Sequence, residues 1–137
     1  TPCREQWGVL VREDSELASR ERVSPADLAS VPLILPEREI VQNELLNWFG
    51  PYAEGLRITA TGNLLYNLAS LARASGGSVL TLNLDCTYEG LRFIPLSPPL
   101  ESNTVLVWKK TQTFSAAAAA LIEFSEKYIS GMEQNLI

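Results

Sequence analysis

The stretch that decides the fold is residues 58–82, ITATGNLLYNLASLARASGGSVLTL. It begins with β-branched residues, continues with leucines at helical spacing, and returns to apolar residues after two glycines. Either Gly76 or Gly77 can supply the left-handed backbone that ends a helix. The pattern predicts a strand, a helix and a second strand. Because a crossover helix of this kind joins parallel strands, we expect a β–α–β unit.

The turn out of the first strand of this unit contains the first candidate site residues. Gly62 and Asn63 allow a tight turn, and Thr61 is the expected N-cap of the helix. The helix N-terminus then lies at the carboxyl end of the strand, where open α/β sheets bind small ligands.

The residues before this unit alternate between strand and helix patterns. Residues 7–12 form a continuous apolar run that predicts a central strand, and Ser24 and Pro25 begin a short helix. Residues 33–35 follow as a brief buried strand, and residues 39–49 form an amphipathic helix. This alternation predicts an α/β fold with a mostly parallel sheet and helices on both of its faces.

The pattern changes after residue 82. Residues 91–96 and 105–109 are predicted strands, and a helix opens at Ser115 and ends at Gly131. The residues expected to face inward on that helix are Ala117, Leu121, Phe124 and Tyr128.

Composition excludes several function classes. The 137 residues suffice for one domain, or for two small lobes that share a core, and the net charge of −5 argues against nucleic-acid binding by this chain alone. The absence of histidine removes histidine general bases, histidine-activated nucleophiles and the usual zinc ligand. We therefore predict no catalytic residues, no metal site and no cofactor.

The sequence also bears on cell compartment. It has no apolar run of the roughly 20 residues that a membrane span needs, and we expect no membrane partner. It begins without methionine or an apolar signal sequence, so we expect it to be cut from a longer chain. Cys3 and Cys86 are far apart and form no C-x-x-C motif, which favours a reducing compartment, the cytoplasm.

Four segments together carry a family resemblance: residues 7–18, WGVLVREDSELA; residues 32–36, PLILP; residues 96–100, LSPPL; and residues 107–110, VWKK. In this order and spacing, they make the chain resemble the effector-binding domain of LysR-type transcriptional regulators. The resemblance spans about residues 6–127.

The resemblance implies two α/β lobes joined by crossing strands, similar to periplasmic solute-binding proteins, with a small-molecule effector in the cleft between them. It makes residues 1–12 a crossing strand from the first lobe and residues 13–92 the second effector-binding lobe. Residues 93–130 become the returning crossing strand and the C-terminal part of a partial first lobe, and residues 131–137 a tail. Nothing matches the family's helix-turn-helix, so DNA binding is expected only through a module missing from this chain.

The candidate ligand site combines helix starts with the crossing strands. Arg38 lies at a helix start, where backbone N–H groups and a guanidinium could together bind a carboxylate or sulfate, and the ligand is expected to be an anionic metabolite. The alternative interpretation is a surface arginine paired with Glu37 or its neighbours. The expected ligand-binding residues are Pro36, Glu37, Arg38, Thr61, Gly62, Asn63, Trp7 and Leu96.

Two other function classes remain open on the same two-lobe scaffold. One is an enzyme using Cys86 or the acids Asp85 and Glu89, and the other is an extracytoplasmic solute-binding protein. We also expect the chain to form a homodimer or higher homo-oligomer, because its C-terminal strand and helix carry apolar faces without evident partners.

Overall fold

The computed structural model describes residues 4–134. The chain divides into two compact units: one is Glu5–Glu101, and the described part of the other consists of Arg4 and residues 102–134. The strands are Arg4–Arg12 (β1), Pro32–Pro36 (β2), Arg57–Gly62 (β3), Ser78–Leu82 (β4), Leu91–Pro95 (β5) and Glu101–Asn103 (β6). The helices are Pro25–Leu28 (α1), Glu39–Phe49 (α2), Leu65–Ser75 (α3) and Ala116–Gln134 (α4), with 3₁₀ turns at Glu16–Ser19 and Gly50–Gly55. Within residues 4–134, no helix combines the length and apolar character that crossing a bilayer requires.

The sheet has the strand order β3-β2-β4-β1-β5, and β6 pairs with β1. Strand β2 runs parallel to both β3 and β4, whereas β1 runs antiparallel to both β4 and β5. Four of these five strands therefore point the same way, and β1 alone among them is reversed. The predicted α/β fold with a mostly parallel sheet is confirmed, and the predicted strand at residues 7–12 is an interior strand, between β4 and β5.

The sheet buries one apolar cluster on each face. The first cluster groups Val9 and Val11 of β1 with Leu28 of α1 and Leu45 of α2. The second groups Leu10 of β1 with residues of α3. Neighbouring residues of β1 thus enter opposite clusters, as the period of a strand requires. Helices cover both faces of the sheet, as predicted.

The β–α–β unit that dominated the sequence is present as β3, α3 and β4, with β2 lying between the two strands. Gly76 ends α3 with a left-handed φ of 76°, as predicted. Thr61 is not the N-cap, however, because β3 extends to Gly62 and pairs Thr61 with Leu35. The helix begins later, after Leu64.

Helix α2 has the predicted bounds, and it ends at Gly50, whose φ is 55°. Leu45 and Phe49 face the core as their spacing predicts. Ile40 also shares that spacing, but its position in the first turn leaves it 79% exposed.

The C-terminal predictions need correction. Residues 104–109 form no strand, although they are apolar and β-branched, because no strand pairs with them in the described chain. Helix α4 continues through Gly131 to Gln134, since a glycine that keeps helical backbone angles costs a helix only about 1 kcal/mol. The four residues predicted to face inward on α4 are exposed. Residues 1–3 of the predicted crossing strand and residues 135–137 of the predicted tail lie outside the described residues.

Gly8 in β1 permits a close approach between β1 and β5. A Cβ added at Gly8 would overlap the Phe93 ring and lie 2.5 Å from the carbonyl oxygen of Ile94. A backbone oxygen in a strand cannot move aside cheaply, so this position requires the absence of a side chain.

We expect Gly8→Ala to lower the free energy of unfolding by about 1–3 kcal/mol, as overpacking in a filled core does. Urea denaturation followed by circular dichroism measures the change. Gly55→Ala is the matched control, because a Cβ at Gly55 meets nothing within 4 Å. Equal denaturation midpoints for the two variants would contradict the tight contact between β1 and β5.

Candidate functional site

One cleft lies at the carboxyl ends of β2, β3 and β4, within the unit Glu5–Glu101. Its volume is about 200 Å³. The lining residues are Trp7, Pro36, Glu37, Arg38, Gly62, Asn63, Leu65, Leu68, Leu80, Thr81, Leu82 and Leu84.

Strand register brings these distant segments together. Pro36, the last residue of β2, pairs with Gly62, the last residue of β3. The Glu37 N–H extends this contact by donating to the Gly62 carbonyl at 2.8 Å. On the other side of the cleft, Trp7 of β1 pairs with Leu82 at the end of β4. The parallel pairing of β2 therefore places the starts of both following helices, α2 and α3, at one edge of the sheet.

The two helices that begin at this cleft have no side-chain N-cap. The helices that begin elsewhere differ. At α1, the Ser24 hydroxyl accepts the Asp27 N–H at 3.3 Å, and the Asp27 carboxylate accepts the Ser24 N–H at 2.9 Å. At α4, the Ser115 hydroxyl accepts the Ala118 N–H at 3.2 Å. The N–H groups in the first turns of α2 and α3 consequently lack the cap that the others possess, and they can bind an acceptor from outside the chain.

The charged residues in the cleft lining are Arg38 and Glu37. Among the described residues, neither side chain has a hydrogen-bond or ion-pair partner. The alternative interpretation of Arg38, an arginine paired with Glu37, is therefore not what the structure shows. The turn that holds both residues is fixed by Gln42, whose Nε2 donates to the Pro36 carbonyl at 2.7 Å.

Besides the polar residues Asn63 and Thr81, the rest of the cleft lining is apolar. Its apolar wall is formed by five leucines and by Trp7, which is 4% exposed and belongs to the core on one face of the sheet. Leu68 approaches the end of β3 so closely that a Cβ added at Gly62 would lie 2.6 Å from its Cδ2. The glycine thus gives Leu68 the space to form part of the wall.

Of the eight predicted ligand-binding residues, six line this cleft: Trp7, Pro36, Glu37, Arg38, Gly62 and Asn63. Thr61 is exposed but lies outside the lining. Leu96 is fully buried in the core, where it forms a parallel bridge with Val23. Sequence reasoning did not predict the leucines or Thr81 as lining residues. The apolar spacing of Leu65 and Leu68 in the helix and of Leu80 and Leu82 in the strand is equally typical of residues that merely pack, and neither Thr81 nor the loop residue Leu84 carries a pattern of its own.

The residues of the enzyme hypothesis lie in the loop at residues 83–90. Cys86 is an exposed free thiol whose Sγ donates to the Leu84 carbonyl at 3.4 Å. Asp85 has a positive φ of 53°, and neither it nor Glu89 lines the cleft.

Comparisons with known proteins agree with this architecture. The family model described as the LysR substrate binding domain matches residues 3–129. No curated protein shows significant sequence similarity to the chain.

Several solved structures share the fold. The regulator HinK from Pseudomonas aeruginosa, of the LysR family, is 19% identical with a TM-score of 0.70, covering 91% of this chain and 45% of HinK. The C-terminal domain of a probable LysR family regulator from Rhodococcus sp. RHA1 is 22% identical with a TM-score of 0.69, and the alignment covers 89% of this chain and 63% of that domain. Full-length CbnR, solved with its target DNA, is 17% identical with a TM-score of 0.58, and the alignment covers 69% of this chain and 34% of CbnR.

This chain spans less than two thirds of each of these three structures. At such low identities, the likeness to solved structures shows only the fold. The match to the family model shows that the chain is related to the LysR family, and it confirms the resemblance carried by the four sequence segments. With that match covering all but its ends, the chain belongs to the family of LysR substrate binding domains.

Proposed function

We propose that this chain senses a small organic anion, bound in the cleft at the carboxyl ends of β2, β3 and β4. It would do so as the effector-binding part of a LysR-type transcriptional regulator. The observation that carries the proposal is the convergence of two uncapped helix starts and the unpaired Arg38 on one leucine-lined cleft.

Electrostatics favour an anion there. Each helix N-terminus behaves as roughly half a positive charge, and this effect is confined to the first turn. Together with Arg38 the two helices outweigh the single negative charge of Glu37. Glu39 also lies in the first turn of α2, but it is outside the cleft lining.

In this proposal residues 13–92 are the second effector-binding lobe, and residues 1–12 and 93–130 supply the crossing strands and part of the first lobe. Ligand binding would favour one lobe arrangement and pass it to a DNA-binding module outside this chain. The solved regulator CbnR, captured on its target DNA, is a precedent for such a protein. The role is binding without turnover, and the exposed thiol of Cys86 suits a reducing compartment such as the cytoplasm.

Two substitutions that should change the affinity for an organic acid in opposite directions test the anion site. Arg38→Ala should weaken binding of an organic acid by about 1.5–3 kcal/mol, the worth of a charge-assisted hydrogen bond. Glu37→Gln should strengthen it by about 0.2–1 kcal/mol, because an exposed like charge is removed. Isothermal titration calorimetry with benzoate measures both changes.

Arg57→Ala provides the matched control. Arg57 is exposed at the start of β3, where it pairs with Pro32 at the opposite edge of the sheet, so its loss should leave affinity unchanged. Equal binding of benzoate and its neutral amide, or equal losses from Arg38→Ala and Arg57→Ala, would refute an anion site.

We also propose that the chain forms a homodimer through α4. None of the 19 residues of this helix is buried. Leu121, Phe124 and Tyr128 lie on one face at spacings of three and four residues and are 62%, 67% and 60% exposed. Residues 105–108, in the same compact unit, add four further exposed apolar side chains. Soluble monomers rarely leave an apolar patch of this kind uncovered, and a second copy of the helix would bury it.

The mass of the chain in solution tests this interface. We expect light scattering at micromolar concentration to give twice the 15.1 kDa of one chain. Leu121→Asp should reduce the mass to that of a monomer, because it places a charge within the buried apolar face. Ala119→Asp introduces the same charge on the opposite, exposed side of α4 and should leave the dimer intact. A monomeric mass for the unsubstituted chain would exclude the dimer.

A further inference from the structure

We infer that residues 86–90 form a flap, hinged at Asp85 and latched by Arg73, that opens away from the sheet as one body. The flap is a feature beyond the proposed function, because its movement needs no ligand. Strands β4 and β5 both run antiparallel to β1, on its two sides, so they run parallel to each other. The chain must therefore cross over β1 between Leu82 and Leu91.

The connection that crosses β1 has no helix. Leu82 pairs with Trp7 and Leu91 pairs with Arg12, so the connection must cover about 17 Å along β1. A connection between parallel strands usually takes a dozen or more residues and contains a helix, which satisfies its own N–H and C=O groups. Residues 83–90 contain neither helix nor strand. Their attachment to the sheet therefore depends on a small number of separate contacts.

Two backbone hydrogen bonds hold the loop at its β5 end. The Glu13 N–H, just after β1, donates to the Gly90 carbonyl at 3.0 Å. The Leu91 N–H, at the start of β5, donates to the Tyr88 carbonyl at 3.1 Å. Both donors lie outside the flap and both acceptors lie within it, so opening the flap would break both bonds.

Arg73 of α3 adds a side-chain contact at the same end. Its Nη1 donates to the Glu89 carbonyl at 3.1 Å, and its Nη2 donates to the Ser70 hydroxyl at 3.1 Å. The Arg73 carbonyl in turn accepts Nη1 of Arg12 at 3.3 Å. Arg73 is thus held by its own helix and by β1, and from there its guanidinium latches the loop.

The rest of the loop is bonded within itself. Residues 84–87 make no hydrogen bond to any residue outside the loop in the described chain. Asn83 is fastened to β1, because its N–H donates to the Gln6 carbonyl at 2.8 Å. Asp85 has the left-handed φ of 53°, which is strained for a residue with a side chain. The fixed chain before Asp85 and the loosely held chain after it place the hinge there.

An apolar surface lies under the flap. Tyr88 is half-buried, whereas the other residues of the loop are exposed. Tyr88 packs, as Phe93 does, against the cluster that contains Leu10 of β1. All three residues line a cavity of about 10 Å³, which has room for about one water molecule at most. Opening the flap would turn this closed cavity into an apolar pocket open to solvent.

Amide hydrogen exchange of the full chain, resolved by residue with NMR, tests the flap. The amides of Glu13 and Leu91 should show similar protection factors and exchange faster than the amides of the interior strand β2, because one local opening releases both. Arg73→Ala should accelerate both about two- to tenfold, the effect of losing one hydrogen bond, although neither amide is bonded to Arg73. The amide of Asn83, which precedes the hinge, should be unchanged.

Two further variants complete the experiment. Tyr88→Ala should also accelerate exchange at Glu13 and Leu91, because it removes the apolar contact between flap and sheet. Arg57→Ala is the control, since it removes an exposed arginine at the start of β3 and should leave both amides unchanged.

Three results would overturn the flap. Unchanged exchange at Glu13 in Arg73→Ala would show that Arg73 is no latch, and equal acceleration at Asn83 would exclude a hinge at Asp85. Acceleration throughout β2 in Arg73→Ala would mean that the substitution loosens the whole sheet. The measurement uses no ligand, so its outcome is independent of the proposed anion site.

Discussion

The parallel pairing of β2 with both β3 and β4 is the constraint on which the rest of the structure depends. It aligns the carboxyl ends of three strands, and each of β2 and β3 is followed by a helix that must start at that end. The reversed strand β1 completes the edge, because its register places Trp7 opposite Leu82. The residues of the cleft are separated by up to 77 positions in sequence, between Trp7 and Leu84. Without this strand pairing, nothing else in the fold would bring them together.

The helix starts of the chain are of two kinds, with and without a side-chain N-cap. Those away from the cleft are capped by Ser24 and Ser115, whereas those at the cleft have no side-chain cap. A cap typically stabilises a helix by about 1 kcal/mol, so its absence at two starts that share one cleft sacrifices stability. In the proposed function, a bound anion would recover that loss and would couple ligand binding to the stability of the unit Glu5–Glu101.

Much of this arrangement was predictable from the sequence, because the signals were local. The bounds of α2 follow from its spacing and Gly50, and the end of α3 follows from Gly76. Five of the eight candidate residues met because parallel topology dictates where the ends of β2 and β3 lie, and Trp7 joined them through the antiparallel register of β1. Thr61 and Leu96 failed to join them because register and burial, which are tertiary properties, decided their positions. The expected strand at residues 105–109 failed for a related reason, since a strand needs a partner that composition cannot supply.

The most direct test of the central claim is to observe the backbone amides at the two helix starts while an anion binds. In a ¹⁵N–¹H correlation spectrum titrated with benzoate, the amides of Glu39, Ile40, Leu65 and Tyr66 should shift together along one binding curve. The amides at the capped starts of α1 and α4 should remain in place. Shifts confined to one helix start, or equally large at the capped helices, would contradict the claim that α2 and α3 bind one anion together.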